Sequence, residues 1–131
     1  MKTNESQLHD YTVIGMFLNP EGFFDVKVSL NKKEKFKVIL KFASNLIEDL
    51  FGSSLSEEEI EYKLNTKLME NGKFLFFRLV RYAIGNQRVQ TQLKTNQNGV
   101  FIITADKWQT IMEKIDNEEL QAILAHGLED V

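Results

Sequence analysis

The chain contains no cysteine, one proline and two histidines among its 131 residues. Without cysteine there is no disulfide framework, no thiolate metal site and no cysteine nucleophile. His9 and His126 sit near opposite ends of the sequence, and neither falls in a metal-ligand spacing such as H-E-x-x-H. No G-x-S-x-G elbow, phosphate-binding P-loop or dinucleotide fingerprint occurs. No stretch approaches the roughly 18 apolar residues of a membrane span. The first ten residues are polar and lack the apolar segment of a secretory signal. These absences predict a cytoplasmic protein with no membrane partner, no cofactor and no metal, and they point away from an enzyme. At 43% hydrophobic and 11% aromatic, the chain is too apolar for disorder. Its length lets one core form without covalent staples, so residues 1–131 are expected to be a single domain with a flexible N-terminus at 1–10.

Charge is unevenly spread. Residues 21–45 hold six lysines against Glu21, Asp25 and Glu34; residues 46–70 hold two lysines against seven acids. Residues 71–105 carry Lys73, Arg78, Arg81, Arg88 and Lys94 with no acid, and residues 106–131 carry two lysines against seven acids. This basic–acidic alternation bears on partners and solubility rather than on fold.

Period-two alternation marks the first third. Residues 11–18 are apolar and β-branched. Asn19-Pro20-Glu21-Gly22 has proline second and glycine fourth, the type I turn preference. Phe24, Val26, Val28 and Leu30 alternate with Asp25, Lys27 and Ser29, predicting a strand with one wet face. After a polar turn at 31–34, Phe36, Val38 and Leu40 alternate with Lys35, Lys37 and Lys41. Three strands joined by short turns predict an antiparallel meander.

The period then changes to 3.6. Ala43, Leu46, Ile47 and Leu50 form one helical stripe ended by Gly52. Ser56 and Glu59 form a capping box, with Leu55 and Ile60 as its hydrophobic staple, ahead of the stripe Ile60, Leu64 and Leu68, with Gly72 as the stop. Residues 72–84 include a nearly continuous apolar run that periodicity alone does not assign; aromatic and β-branched enrichment points to a strand. Gly85-Asn86 reads as a turn. Val89, Thr91 and Leu93 alternate with Arg88, Gln90, Gln92 and Lys94 as a strand with a basic face. Residues 96–99 read as a turn and 100–103 as a buried strand. Thr104 caps a helix striped by Trp108, Ile111, Met112 and Ile115. Asp116 and Glu119 form a second capping box that restarts the chain, followed by the stripe Leu120, Ile123 and Leu124 and a stop at Gly127. The expected fold is α+β, with antiparallel sheets in two βββα-like halves, pseudo-repeats at 11–52 and 72–116, and about four helices.

Gly99-Val100-Phe101-Ile102-Ile103-Thr104, followed by Trp108, Ile111 and Ile115, resembles the last strand and helix of the ββββα single-strand-binding modules. These are the Pur-type repeats, the whirly-type plant proteins and the single-strand-binding transcriptional coactivators. The resemblance covers residues 72–115 and more loosely 11–51. It implies a curved antiparallel sheet whose basic and aromatic outward residues hold single-stranded DNA or RNA, and a helix that packs against a second copy, making a homodimer.

Phosphate contacts need Lys or Arg along a surface, and bases need aromatic faces to stack on. The expected nucleic-acid-binding residues are therefore Lys27, Lys35, Lys37, Lys41, Arg78, Arg81, Arg88 and Lys94, with Phe23 as the outward aromatic. The alternative is a small inhibitor, immunity or phage accessory protein that binds a basic protein partner through acidic helices, at Glu57, Glu58, Glu61, Glu118 and Glu119. The glutamates at 57–61 need no general-acid role, because a helix N-terminus favours carboxylates. No residue is expected to be catalytic.

Overall fold

The computed structural model describes residues 11–30, 37–71 and 75–130. Strands β1 (Thr12–Leu18), β2 (Phe24–Ser29) and β3 (Lys37–Phe42) form the antiparallel meander, and β4 (Gly99–Ile103) lies parallel to β3. The result is one four-stranded sheet in the order β1-β2-β3-β4. Between β3 and β4 come α1 (Ser44–Phe51), α2 (Glu57–Asn65), a π-helical stretch (Thr66–Asn71), α3 (Leu75–Gly85) and α4 (Gln87–Lys94); α5 (Ala105–Asp130) follows β4. The α+β class holds. No helix among the described residues is long and apolar enough to cross a membrane. The expected turn at 31–34, Lys35, Phe36, the stop at Gly72 and the N-terminal segment 1–10 lie outside the described residues.

Asn19 organises the first hairpin. The Gly22 N–H donates to the Asn19 carbonyl at 3.0 Å, closing the turn around Pro20. Gly22 takes φ = 96°, where a side chain would be strained. The Asn19 side-chain oxygen accepts the Glu21 and Phe23 amides at 2.8 and 3.3 Å. Its NH2 donates to both Asp25 carboxylate oxygens at 3.0 Å.

Pairing register puts Met16, Val26, Leu40 and Phe101 in one row across the sheet, and Phe24, Phe42 and Ile103 in another. These rows share one face, and Phe24, Val26, Leu40, Phe42 and Ile103 have no accessible surface. Leu46, Leu64, Leu68, Phe76, Leu79, Val80, Val89 and Ile111 from the helices complete the same core. Each such side chain contributes roughly 1.5–3 kcal/mol on burial. The opposite face of β2 departs from expectation: Asp25 and Ser29 are only 5% and 3% exposed, not wet. The strand is flanked on both sides, and Asp25 can be buried because Lys41 Nζ and the Asn19 amide both reach it.

The capping box at Ser56 is present in full. The Ser56 hydroxyl accepts the Glu59 amide at 3.1 Å, and the Glu59 carboxylate accepts the Ser56 amide at 2.8 Å. Thr104 caps α5 as expected, its hydroxyl accepting the Lys107 amide at 3.2 Å.

Two strand assignments are corrected. Residues 75–85 and 87–94 are helices, so the second half carries no meander and there is one sheet rather than two. In α3 the buried residues are Leu75, Phe76, Leu79, Val80 and Ala83, a helical spacing that interleaved phenylalanines disguise as a continuous run. In α4 the Asn86 side chain accepts the Arg88 and Val89 amides at 3.0 and 3.2 Å, an N-cap that overrides the β-propensity of Val89 and Thr91. A third correction concerns α5. It runs unbroken through Asp116 and Gly127, because Glu118 and Glu119 bond to α3 instead of capping a new helix.

Two outcomes test this packing. A Cβ at Gly99 would stand 2.7 Å from Val89 Cγ1, so Gly99→Ala should lower stability by about 1–3 kcal/mol in urea unfolding. In a Val89→Ala background most of that cost should vanish; an undiminished cost would refute the contact. At the α2 cap, Ser56→Ala should cost about 1 kcal/mol. The hydrogen bonds from the Ser56 backbone and side chain hold the Glu59 carboxyl below its ordinary pKa. Its stabilising contribution is therefore present above the usual glutamate range and lost as pH falls through the lowered folded value. NMR titration should show the Glu59 midpoint rising toward normal in Ser56→Ala.

Candidate anion-binding groove

The face of the sheet away from the core carries Phe17, Asp25, Lys41 and Ile102 in one row and Lys27, Ile39 and Val100 in the next. Two of its cations, Lys27 and Lys41, are engaged. Lys27 Nζ lies 5.0 Å from the Phe17 ring centroid, and Lys41 Nζ lies 5.2 Å from that of Phe23. Lys41 also pairs with Asp25 at 3.0 Å. These cation–π contacts occupy the two half-buried phenylalanines and localise the charge. Lys37 opens β3, and Lys35 lies outside the described residues.

Arg78, Arg81, Arg88 and Lys94 do not share the sheet face with the lysines. Arg78 and Arg81 stand on α3, and the exposed Arg88 and Lys94 on α4. Arg78 is ion-paired with Glu119 of α5, and the Tyr82 hydroxyl donates to Glu118 at 3.1 Å. Two of the expected acidic protein-binding residues thus tie α5 to the cationic helix α3. On α2, the Glu57 carboxylate accepts the Leu18 amide at 2.7 Å, at the outer edge of β1, while Glu58 and Glu61 are exposed.

The structure brings together a cationic set that the sequence does not announce. Arg81, Lys107 and Lys114 line one groove of about 360 Å³, with Tyr82, Asn86, Phe101 and Thr110 also on its wall. Among the described residues no acid lines this groove, and none of the three cations is ion-paired. Lys107 Nζ lies 4.7 Å from the Phe101 ring centroid. A second groove of about 310 Å³, lined by Arg78, Arg81, Tyr82 and Glu118, adjoins it through Arg81 and Tyr82. Converging cations without a counter-charge among the described lining residues focus a positive potential, which attracts anions. Lys107 and Lys114 sit seven residues apart, a spacing that shares a helix face. That spacing was the available signal, but the acids around them obscured it. Among the described residues no cluster of His, Cys, Asp and Glu could hold a metal ion.

Tyr82 is the titratable group that reports on this junction. Burial, and then its hydrogen bond to Glu118, push the phenol pKa above the ordinary tyrosine value against the opposing pull of Arg78 and Arg81. Ultraviolet difference titration should show a transition above the ordinary tyrosine range that Tyr82→Phe removes. A raised folded value means that the Tyr82 contribution to stability is intact below the ordinary tyrosine range and lost as pH rises through the folded value. Glu118→Gln should move the late transition down without normalising it, since burial remains.

No protein-family model, curated protein or solved structure matches this chain.

Proposed function

We propose that the chain is a non-enzymatic binding module that holds single-stranded nucleic acid in the groove between α3 and α5. One observation carries this reading: Arg81, Lys107 and Lys114 converge on a groove with no acid among its described lining residues. Backbone phosphates provide the anionic charge such a groove attracts, and the half-buried Tyr82 provides aromatic surface beside it. The sheet face is the weaker location, because Lys41 there is paired with the buried Asp25, a counter-charge the groove lacks among its described lining residues.

Titration of labelled single-stranded DNA and RNA at several salt concentrations tests this. Three phosphate contacts on a single strand give a log–log salt slope of about −2. Lys107→Glu with Lys114→Glu should abolish binding at moderate salt. Lys27→Gln should leave affinity within about twofold, since that cation stands on the sheet and does not line the groove. No binding at low salt, or binding that ignores the groove variants, would sink the assignment.

A second reading is supported by one feature of α2. Tyr62 is 73% exposed, beside the exposed Glu58 and Glu61, and exposed tyrosine flanked by acids suits a basic protein partner. Tyr62→Ala with Glu58→Lys and Glu61→Lys should abolish a protein complex while sparing nucleic-acid binding.

A further inference from the structure

The groove of about 310 Å³ beside the cationic one is lined, among the described residues, by Arg78, Arg81, Tyr82 and Glu118. The two grooves share Arg81 and Tyr82 and differ in one respect: the second holds a carboxylate. Glu118 repels the phosphates of a strand, but toward a base it is a hydrogen-bond acceptor. One of its oxygens is committed. The Tyr82 hydroxyl donates to Oε2 at 3.1 Å. Burial, and then that same bond, hold the phenol pKa above its ordinary value, so the donor stays protonated at neutral pH. Oε1 has no hydrogen-bond partner among the described residues. The remaining polar wall is guanidinium. Arg78 engages Glu119 through Nη1, and the exposed Arg81 has no ion pair among the described residues. Each guanidinium carries five N–H donors, so both keep donors to offer.

We propose that this second groove is a base-reading subsite that selects cytosine in a bound single strand, an inference that rests on the reading of the cationic groove as a nucleic-acid site. The wall offers one free carboxylate oxygen beside guanidinium donors. Its complement is a base with one amine next to two acceptors. Cytosine has that edge: the N4 amine donates to Glu118, while N3 and O2 accept from a guanidinium fork. Thymine and uracil bring the O4 carbonyl to the carboxylate, so acceptor meets acceptor and neither is satisfied. Guanine brings two adjacent donors, N1–H and the N2 amine, where one oxygen is free. Adenine has the amine but only N1 as the acceptor next to it, and so forfeits one of the two guanidinium bonds. The shared wall supplies the connection. A phosphate held by Arg81, Lys107 and Lys114 leaves its own nucleotide beside Tyr82, where the base enters the adjoining groove with its Watson–Crick edge unpaired, as single strands allow.

Fluorescence anisotropy of the full chain with short, labelled all-thymine DNA strands tests this, the central base being replaced in turn by cytosine, adenine, guanine or uracil. The cytosine strand should bind about fivefold or more tighter than the thymine and uracil strands, with adenine and guanine between them. Placing N4,N4-dimethylcytosine at the same position removes the amine hydrogens and should bring affinity to within about twofold of the thymine strand. In Glu118→Gln the amide oxygen still takes the Tyr82 hydroxyl, which leaves an NH2 where the free oxygen stood. That variant should lose the preference for cytosine over thymine. Equal affinity for all strands overturns the subsite and leaves the cationic groove standing. A preference for another base overturns it as well, and so does a cytosine preference that survives N4 dimethylation or Glu118→Gln. Failure of every strand to bind at low salt overturns the groove reading itself, and the subsite with it.

Discussion

The parallel pairing of β3 with β4 governs the rest of the molecule. Antiparallel neighbours can be joined by a tight turn, as β1 and β2 are around Pro20, but parallel neighbours need a long return path. Here that path is the whole of residues 43–98, and it contains α1, α2, the π-helical stretch, α3 and α4. The crossover therefore supplies most of the helical share of the core. It also delivers α4 to the edge of β4, where the Gln92 side chain accepts the Val100 amide at 2.8 Å and Val89 packs against the bare Cα of Gly99. Helix α5 then leaves β4 through the Thr104 cap and sets Trp108 against Phe42, ring centroids 6.3 Å apart. Arg81 within the crossover and Lys107 and Lys114 on the helix after β4 thereby reach one groove.

The alternation of charge along the chain becomes an arrangement in space. The acid-free segment 71–105 supplies α3, and the acid-rich segment after it supplies α5. Laid side by side, they neutralise each other locally at Arg78–Glu119, with Tyr82–Glu118 beside it. Such partly exposed contacts hold the helices in register more than they stabilise the fold. Among the described cations left over after this pairing, Arg81, Lys107 and Lys114 give the groove its sign. On the sheet the same economy operates differently: Asp25 and two phenylalanines absorb Lys27 and Lys41.

The meander was legible because Phe24, Val26 and Val28 alternate with polar residues and Asn19-Pro20-Glu21-Gly22 has turn chemistry. The capping boxes divided instructively. Ser56 and Glu59 stand after a break in pattern, and their box forms. Asp116 and Glu119 have the same spacing inside a continuing helix, and Glu119 is taken by Arg78. Residues 75–94 were misread for a local reason: Phe76 and Phe77, adjacent in sequence, hide a stripe whose polar side is marked only by Arg78 and Arg81. Of the groove only Arg81 was read from the sequence; its meeting with Lys107 and Lys114 was not. The groove's cations come from α3 and α5, and their meeting depends on a crossover that no local pattern encodes. The pairing of β4 with β3 was equally hidden, since a short apolar strand does not name its neighbour.

The same crossover has a consequence for how the protein is made. On the ribosome, β3 emerges well before β4, with the whole of residues 43–98 still to be synthesised in between. During that interval the hydrogen-bonding edge of Val38, Ile39 and Leu40, which β4 later occupies, is open to any other extended chain. The contact that closes it spans a long stretch of sequence, so it forms late and slowly relative to the local helices. The nascent chain is thus most exposed to misassembly after its hairpins have formed and before Phe101 has cleared the exit tunnel.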